Sequence, residues 1–170
     1  MSKVGAGDCF SYMLRPHLRD YLEHEFGQHS VDRFASRNNV QVQSRSYYSK
    51  FFEQEAEGLD AFSCQWKFTR DGVLENNWVH PPYALAGRVI WHFLQCKAQG
   101  TLILPRWSSA SWWPLLGSIL PRLQHKSLPV GMCGEALMFP SDLPIPESLL
   151  PRGQLLAIRI RSYLRVNSIS

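Results

Sequence analysis

The chain has 170 residues, 45% of them hydrophobic and 19% charged, with a formal net charge of +4. That length suits one domain around one core, and low charge with 12% aromatic residues excludes general disorder. The basic surplus is compatible with a nucleic-acid partner without requiring one. It is scattered over Arg15, Arg19, Arg33, Arg37, Arg45 and Lys50, then Arg152, Arg159, Arg161 and Arg165, with no run that reads as a basic tail.

Cys9, Cys64, Cys96 and Cys133 form no CxxC pair, and no Cys/His group has zinc-finger spacing. Lys3 and Asp8 interrupt the opening residues, so no signal segment is expected, and no apolar stretch reaches membrane-spanning length. The expectation is a reduced intracellular protein, cytoplasmic or nuclear, with buried thiols and no membrane contact.

In chain order, Leu14, Leu18, Tyr21, Leu22 and Phe26 form a helical stripe with Gly27 as its stop. Val31, Phe34 and Ala35 predict a short strand and the turn leaving it; Ser36 to Ser46 reads as a connection. Tyr47 to Leu59 predicts a short helix. Ala61 to Trp66 is a second apolar segment, and Asn76 to Val79 a third that must stop at Pro81-Pro82.

Helical spacing returns from Ala84 to Lys97, with Gly100 closing the element, and Thr101 to Leu104 is a buried strand bounded by Pro105. Ser108 to Leu123 predicts a helix with Pro114 in its first turn and Trp112 inward. Ala136 to Phe139 and Gln154 to Arg161 are expected to pair antiparallel across the exposed loop from Pro140 to Pro151. Strand and helix alternating in this way predict an α/β sandwich: a mainly parallel sheet, helices on both faces, and a C-terminal antiparallel hairpin. Ligands of such sheets bind outside the carboxyl ends of the strands, where Asp32, Asp60 and His80 to Tyr83 are expected to gather.

The most specific feature is an ordered set of segments: Val31-Asp32-Arg33-Phe34-Ala35-Ser36 with Asn39, Asp60-Ala61-Phe62 with Trp66, His80-Pro81-Pro82-Tyr83, and Leu104-Pro105 with Trp107 and Trp112. From about residue 12 to 120 this order resembles the methyltransferase-like domain of DIRS-type retrotransposons. That domain is in turn similar to phage-type DNA N6-adenine methyltransferases, whose tetrad is Asn or Asp before Pro-Pro-Tyr.

The resemblance implies a Rossmann-like, methyltransferase-type three-layer fold. It places S-adenosylmethionine near Asp32, Phe34, Ala35, Ser36, Asp60, Ala61 and Phe62, and a flipped adenine at His80, Pro81, Pro82 and Tyr83. It also implies a nucleic-acid partner, DNA first, and an association with the reverse transcriptase and RNase H of the same element. In such enzymes the first residue of the tetrad accepts hydrogen bonds from the adenine amino group and Tyr stacks on the base.

His80 departs from that pattern. A neutral imidazole accepts one hydrogen bond and a protonated one accepts none, so efficient amino methylation is not expected. Two functions follow: a methyltransferase fold that still binds S-adenosylmethionine, or the same fold serving as a non-catalytic nucleic-acid-binding or scaffold module. A metal-dependent nuclease using Asp32, Asp60 and Asp71 is a third, disfavoured because Asp71 sits in a polar Thr69-Arg70-Asp71-Gly72 turn. Plainer roles exist as well: Asp32 and Asp60 as turn caps, Trp112 as core, and the remaining histidines as isolated side chains.

Overall fold

The computed structural model describes residues 12–50 and 53–163; Cys9, Arg165 and part of the Tyr47 to Leu59 segment lie outside them. Its centre is a five-stranded mixed sheet in the order β2-β3-β4-β7-β5. The strands are β2 (Val31–Asp32), β3 (Asn76–Val79), β4 (Gln99–Pro105), β5 (Leu123–Met132) and β7 (Gln154–Tyr163). β2, β3 and β4 run parallel, whereas β7 is antiparallel to both β4 and β5. A separate small antiparallel ribbon pairs β1 (Met13–Leu14) with β6 (Leu137–Met138).

Helices cover both faces, as the alternation predicts. Along β4, Leu102 and Leu104 point to one face with α2 (Ala86–Cys96) and α3 (Trp113–Ile119), joined there by Val79, Ile158, Ile160, Trp66 and Trp112. Ile103 points to the other with Leu22 and Phe26 of α1 (Pro16–Phe26), Trp78, Ala157, Tyr47 and the ribbon. Alternate residues of one strand thus feed two cores.

Several local expectations hold and several need correction. Gly27 stops α1 with φ +84°, and Pro114 sits at the start of α3, where its missing N–H is no loss. Leu14 belongs to β1, because Pro16 starts the helix later. Tyr47 to Leu59 is not a helix: Tyr47 bridges to Asp32 and Tyr48 to Gly58, and tyrosines suit extended backbone. The second apolar segment yields only a 3-10 turn (Ala61–Ser63).

The helix expected from Ser108 to Leu123 shortens to α3 and a 3-10 turn (Leu120–Arg122) carrying Pro121, and Leu123 already opens β5. Ala136 to Phe139 does not pair with Gln154 to Arg161. Residues Leu137 and Met138 pair with β1, while β7 inserts between β4 and β5, giving two parallel and two antiparallel pairings instead of a mainly parallel sheet. A further single helical turn, α4 (Cys133–Ala136), links β5 to β6. Among the described residues no helix is long and apolar enough to cross a membrane.

Gly100 does not close α2, which ends with Lys97 in the left-handed region. It lies inside β4 opposite Asn77, where an added Cβ would stand 2.5 Å from the Asn77 carbonyl oxygen and 2.7 Å from its Cβ. Gly100→Ala is therefore expected to cost about 2 kcal/mol or more, as overpacking in a core does. A fall in the urea midpoint at unchanged slope would register it, and parental stability would show that β3 and β4 do not approach so closely.

Candidate functional site

β2 is short because Asp32 turns the chain. Its buried carboxylate accepts hydrogen bonds from Phe34 N (3.2 Å) and Gln41 N (3.0 Å), clamping the loop that follows. Burial pushes this carboxyl up to about 7, against the pull of the two amides. Within the loop, Ala35 N donates to Tyr48 O (3.0 Å), and Ser36 donates through N (2.6 Å) and Oγ (3.2 Å) to Asn39 Oδ1. Phe34 packs edge-on against Phe62 (5.5 Å) and Trp66 (6.1 Å).

Asp60 is exposed and caps the 3-10 turn through Oδ1, which accepts from Phe62 N at 2.9 Å. The Ala61 carbonyl accepts the Trp66 indole N–H (2.8 Å), and Phe62 carries the Arg88 guanidinium over its ring at 4.0 Å. Both acids expected beside the cofactor thus cap backbone in their own loops.

The tetrad joins β3 to α2. Asp32 stands opposite Trp78 in the parallel register, so His80 follows two residues beyond it at the carboxyl end of the sheet. Pro81 is buried, Pro82 is exposed, and the Pro82 carbonyl opens the 3-10 turn (Tyr83–Leu85) that runs into α2. His80 is 9% exposed, and its Nε2 lies 3.0 Å from Tyr83 Oη. Burial drives the imidazole down to about 4, so it is neutral at physiological pH.

Tyr83 sits in an aromatic row. Tyr12 stacks beside it (centroids 6.4 Å apart, 16° between planes), Trp107 meets it edge-on at 5.4 Å, and Phe139 stacks on the far side of Tyr12 at 5.9 Å. The Tyr12 hydroxyl donates to the Leu149 carbonyl. Burial raises the Tyr83 phenol well above its usual value, with smaller contributions from Cys133 and Tyr12.

Sequence reasoning missed two buried polar groups in the interior of the fold. Arg33, 2% exposed, donates from Nε to Asn77 Oδ1 (2.7 Å) and lies over the rings of Tyr48 (4.8 Å) and Trp66 (5.8 Å), with Glu75 at 3.6 Å. His29, 1% exposed, bridges Glu23 (Nδ1, 3.0 Å) and Thr101 (Nε2, 2.7 Å). No local spacing announces either, because their partners come from distant segments. Neither the tetrad nor Asp32 lines two surface hollows, one of about 220 Å³ beside Glu23 and Gln41 and one of about 390 Å³ between Met132 and Arg152. Among the described residues no His, Cys, Asp and Glu side chains cluster to hold a metal ion.

No protein-family model matches the chain, and no curated protein matches it either.

His80 and Asp32 pull stability in opposite directions with pH. The native imidazole, lowered from 6.5, refuses a proton that the unfolded chain accepts, so its contribution is lost as pH falls from 6.5 to about 4. Native Asp32 keeps a proton that the unfolded chain releases above 3.8, so its contribution is lost as pH rises toward about 7. His80→Asn is expected to flatten the loss on acidification, by at most about 3 kcal/mol, and Asp32→Asn to steepen it. Urea titrations across this range test both; an unchanged acid limb in His80→Asn would refute the buried neutral imidazole.

Proposed function

We propose that the chain is a methyltransferase-like domain, of the kind found in DIRS-type retrotransposons, that works as a nucleic-acid-binding module without transferring methyl groups. Three parallel strands followed by a C-terminal antiparallel pair, with helices on both faces, support a Rossmann-like, methyltransferase-type reading of the fold. The HPPY segment leaving a sheet strand at its carboxyl end supports it further.

The observation that carries the non-catalytic reading is the His80 to Tyr83 hydrogen bond. Whichever tautomer forms it, Nε2 is committed to the Tyr83 hydroxyl inside a buried contact. With Nε2 accepting from the tyrosine hydroxyl the ring keeps no acceptor, and with Nε2 donating to it only Nδ1 could accept from an adenine amino group. Tyr83 is also flanked by Tyr12 and Trp107, side chains of the same chain.

The residues do not fit S-adenosylmethionine in this arrangement. Both oxygens of Asp32 receive loop amides, and Asp60 caps its own turn. Phe34 packs edge-on with Phe62 and Trp66, while Phe62 stacks on Trp66 and carries the Arg88 guanidinium over its ring. No step is therefore derived through that cofactor. A non-catalytic partner of reverse transcriptase and RNase H, with DNA as the first ligand to examine, is what the resemblance leaves once catalysis is set aside.

Calorimetric titration of the folded protein with S-adenosylmethionine and S-adenosylhomocysteine decides between the two functions. The expected result is no saturation up to millimolar ligand, in parent and His80→Asn alike. Saturable micromolar binding that weakens in Asp60→Ala would sink the non-catalytic reading and call for a methyl-transfer assay.

A further inference from the structure

The carboxyl end of β4 carries a basic and aromatic corner with no acid paired to it. The strand ends at Pro105, and Arg106 N donates to Gln154 O at 2.7 Å, so β4 and β7 remain joined where both leave the sheet. The next residue, Trp107, donates its indole N–H to the Arg152 carbonyl at 2.7 Å. Gly153 makes this possible: its φ of +88° turns the chain, and a Cβ there would sit 3.8 Å from the Trp107 ring. Cys133 N donates to the Gly153 carbonyl at 2.9 Å and anchors the turn from behind.

Arg106 and Arg152 therefore adjoin one indole, Arg106 as its neighbour in the chain and Arg152 through its carbonyl. Both arginines are exposed, Trp107 is half-buried, and Ser108 and Ser109 follow on the same exposed loop. Neither arginine forms an ion pair among the described residues, where the ion pairs are Arg19 with Asp20, His29 with Glu23 and Arg33 with Glu75. The inner edge of the same indole meets Tyr83, so the corner adjoins the tetrad directly.

We infer that Arg106, Trp107 and Arg152 form a seat for single-stranded nucleic acid, with backbone phosphates on the two guanidiniums and a base against the open part of the indole. The inference rests on the nucleic-acid reading above and gives it a place. The planar guanidiniums of unpaired, exposed arginines can fork onto phosphate oxygens, and an indole fixed at its N–H offers a ring with little left to lose in freedom. A duplex buries its bases in the stack and offers a single indole only its backbone, whereas a single strand presents both groups the corner can use.

Arg152 also borders the 390 Å³ hollow, which Glu147, Leu150 and Pro151 line with it.

The test is fluorescence anisotropy with a short labelled oligodeoxynucleotide of mixed sequence, titrated with the whole chain at several salt concentrations. The paired variant Arg106→Ala with Arg152→Ala is compared with Arg70→Ala with Arg122→Ala, which removes the same charge from exposed positions elsewhere. The seat predicts that the first pair weakens binding at least tenfold. It also predicts a salt slope shallower by about 1.4, the value for two lost single-strand phosphate contacts. The second pair should change affinity less than threefold. Quenching of Trp fluorescence on binding, lost in Trp107→Phe, is expected for the base contact.

Equal losses in the two pairs would overturn the seat while leaving nucleic-acid binding intact. If the parent chain fails to bind the oligonucleotide at low salt, the nucleic-acid reading itself fails and the seat with it. Inorganic polyphosphate that competes as well as the oligonucleotide, with no Trp quenching, would overturn the base contact and reduce the corner to a polyanion site.

Discussion

One buried side chain, Asn77, ties together distant parts of this fold. It is fully buried on β3, and its amide donates to the Trp66 and Gln99 carbonyls, both at 2.7 Å, while its oxygen accepts from Arg33. Three segments distant in sequence are thereby fixed to one residue: the loop after β2, the turn carrying Trp66, and the start of β4. Each group buried here is a polar atom that would cost about 1–3 kcal/mol if left unpaired. Gly100 supplies the room, since only a residue without Cβ leaves space beside the Asn77 backbone.

That knot explains why a charged side chain is tolerated in the interior. Arg33 gains a hydrogen bond, two aromatic faces and a carboxylate, so its guanidinium is compensated on several sides at once. Cys64 Sγ also lies 3.6 Å from Arg33 Nη1, and His92 reaches the Cys64 carbonyl at 2.8 Å, drawing the segment 61–66 onto α2. The loop between β2 and β3 is long and has little regular structure, and it is ordered by these side-chain bonds and by the Asp32 clamp. Among the described residues, regular backbone pairing in this loop is limited to the bridges of Tyr47, Tyr48 and Phe68.

At the carboxyl end of the sheet the same economy of partners decides the chemistry. His80 and Tyr83 bond each other, Tyr12 and Trp107 bond backbone carbonyls, and Asp32 accepts from its own loop. A site that keeps its polar atoms for a ligand has to hold them unpaired or loosely paired beforehand, at a cost in stability. Here that cost is absent, which favours binding through the exposed Arg106, Trp107 and Arg152 corner over chemistry at the tetrad.

The amino-acid order alone determined the α/β class, helices on both faces, α1 and α2 with their approximate limits, the stop at Pro81-Pro82 and the buried run of β4. These are legible because apolar periodicity, glycine and proline act within a few residues. Only the tertiary structure decided that Tyr47 and Tyr48 bridge instead of coiling, that β7 enters between β4 and β5, and that Leu137 pairs with Leu14. β5 escaped sequence reading because most of its residues are exposed at a sheet edge and show no alternation. The same division runs through the site. Its residue types and their order are written in the sequence. Asp32, Asp60 and His80 bond to near neighbours, Phe34 and Gln41, Phe62, and Tyr83, but whether they face these or a ligand is set by how each loop folds and is buried, which residue order does not encode.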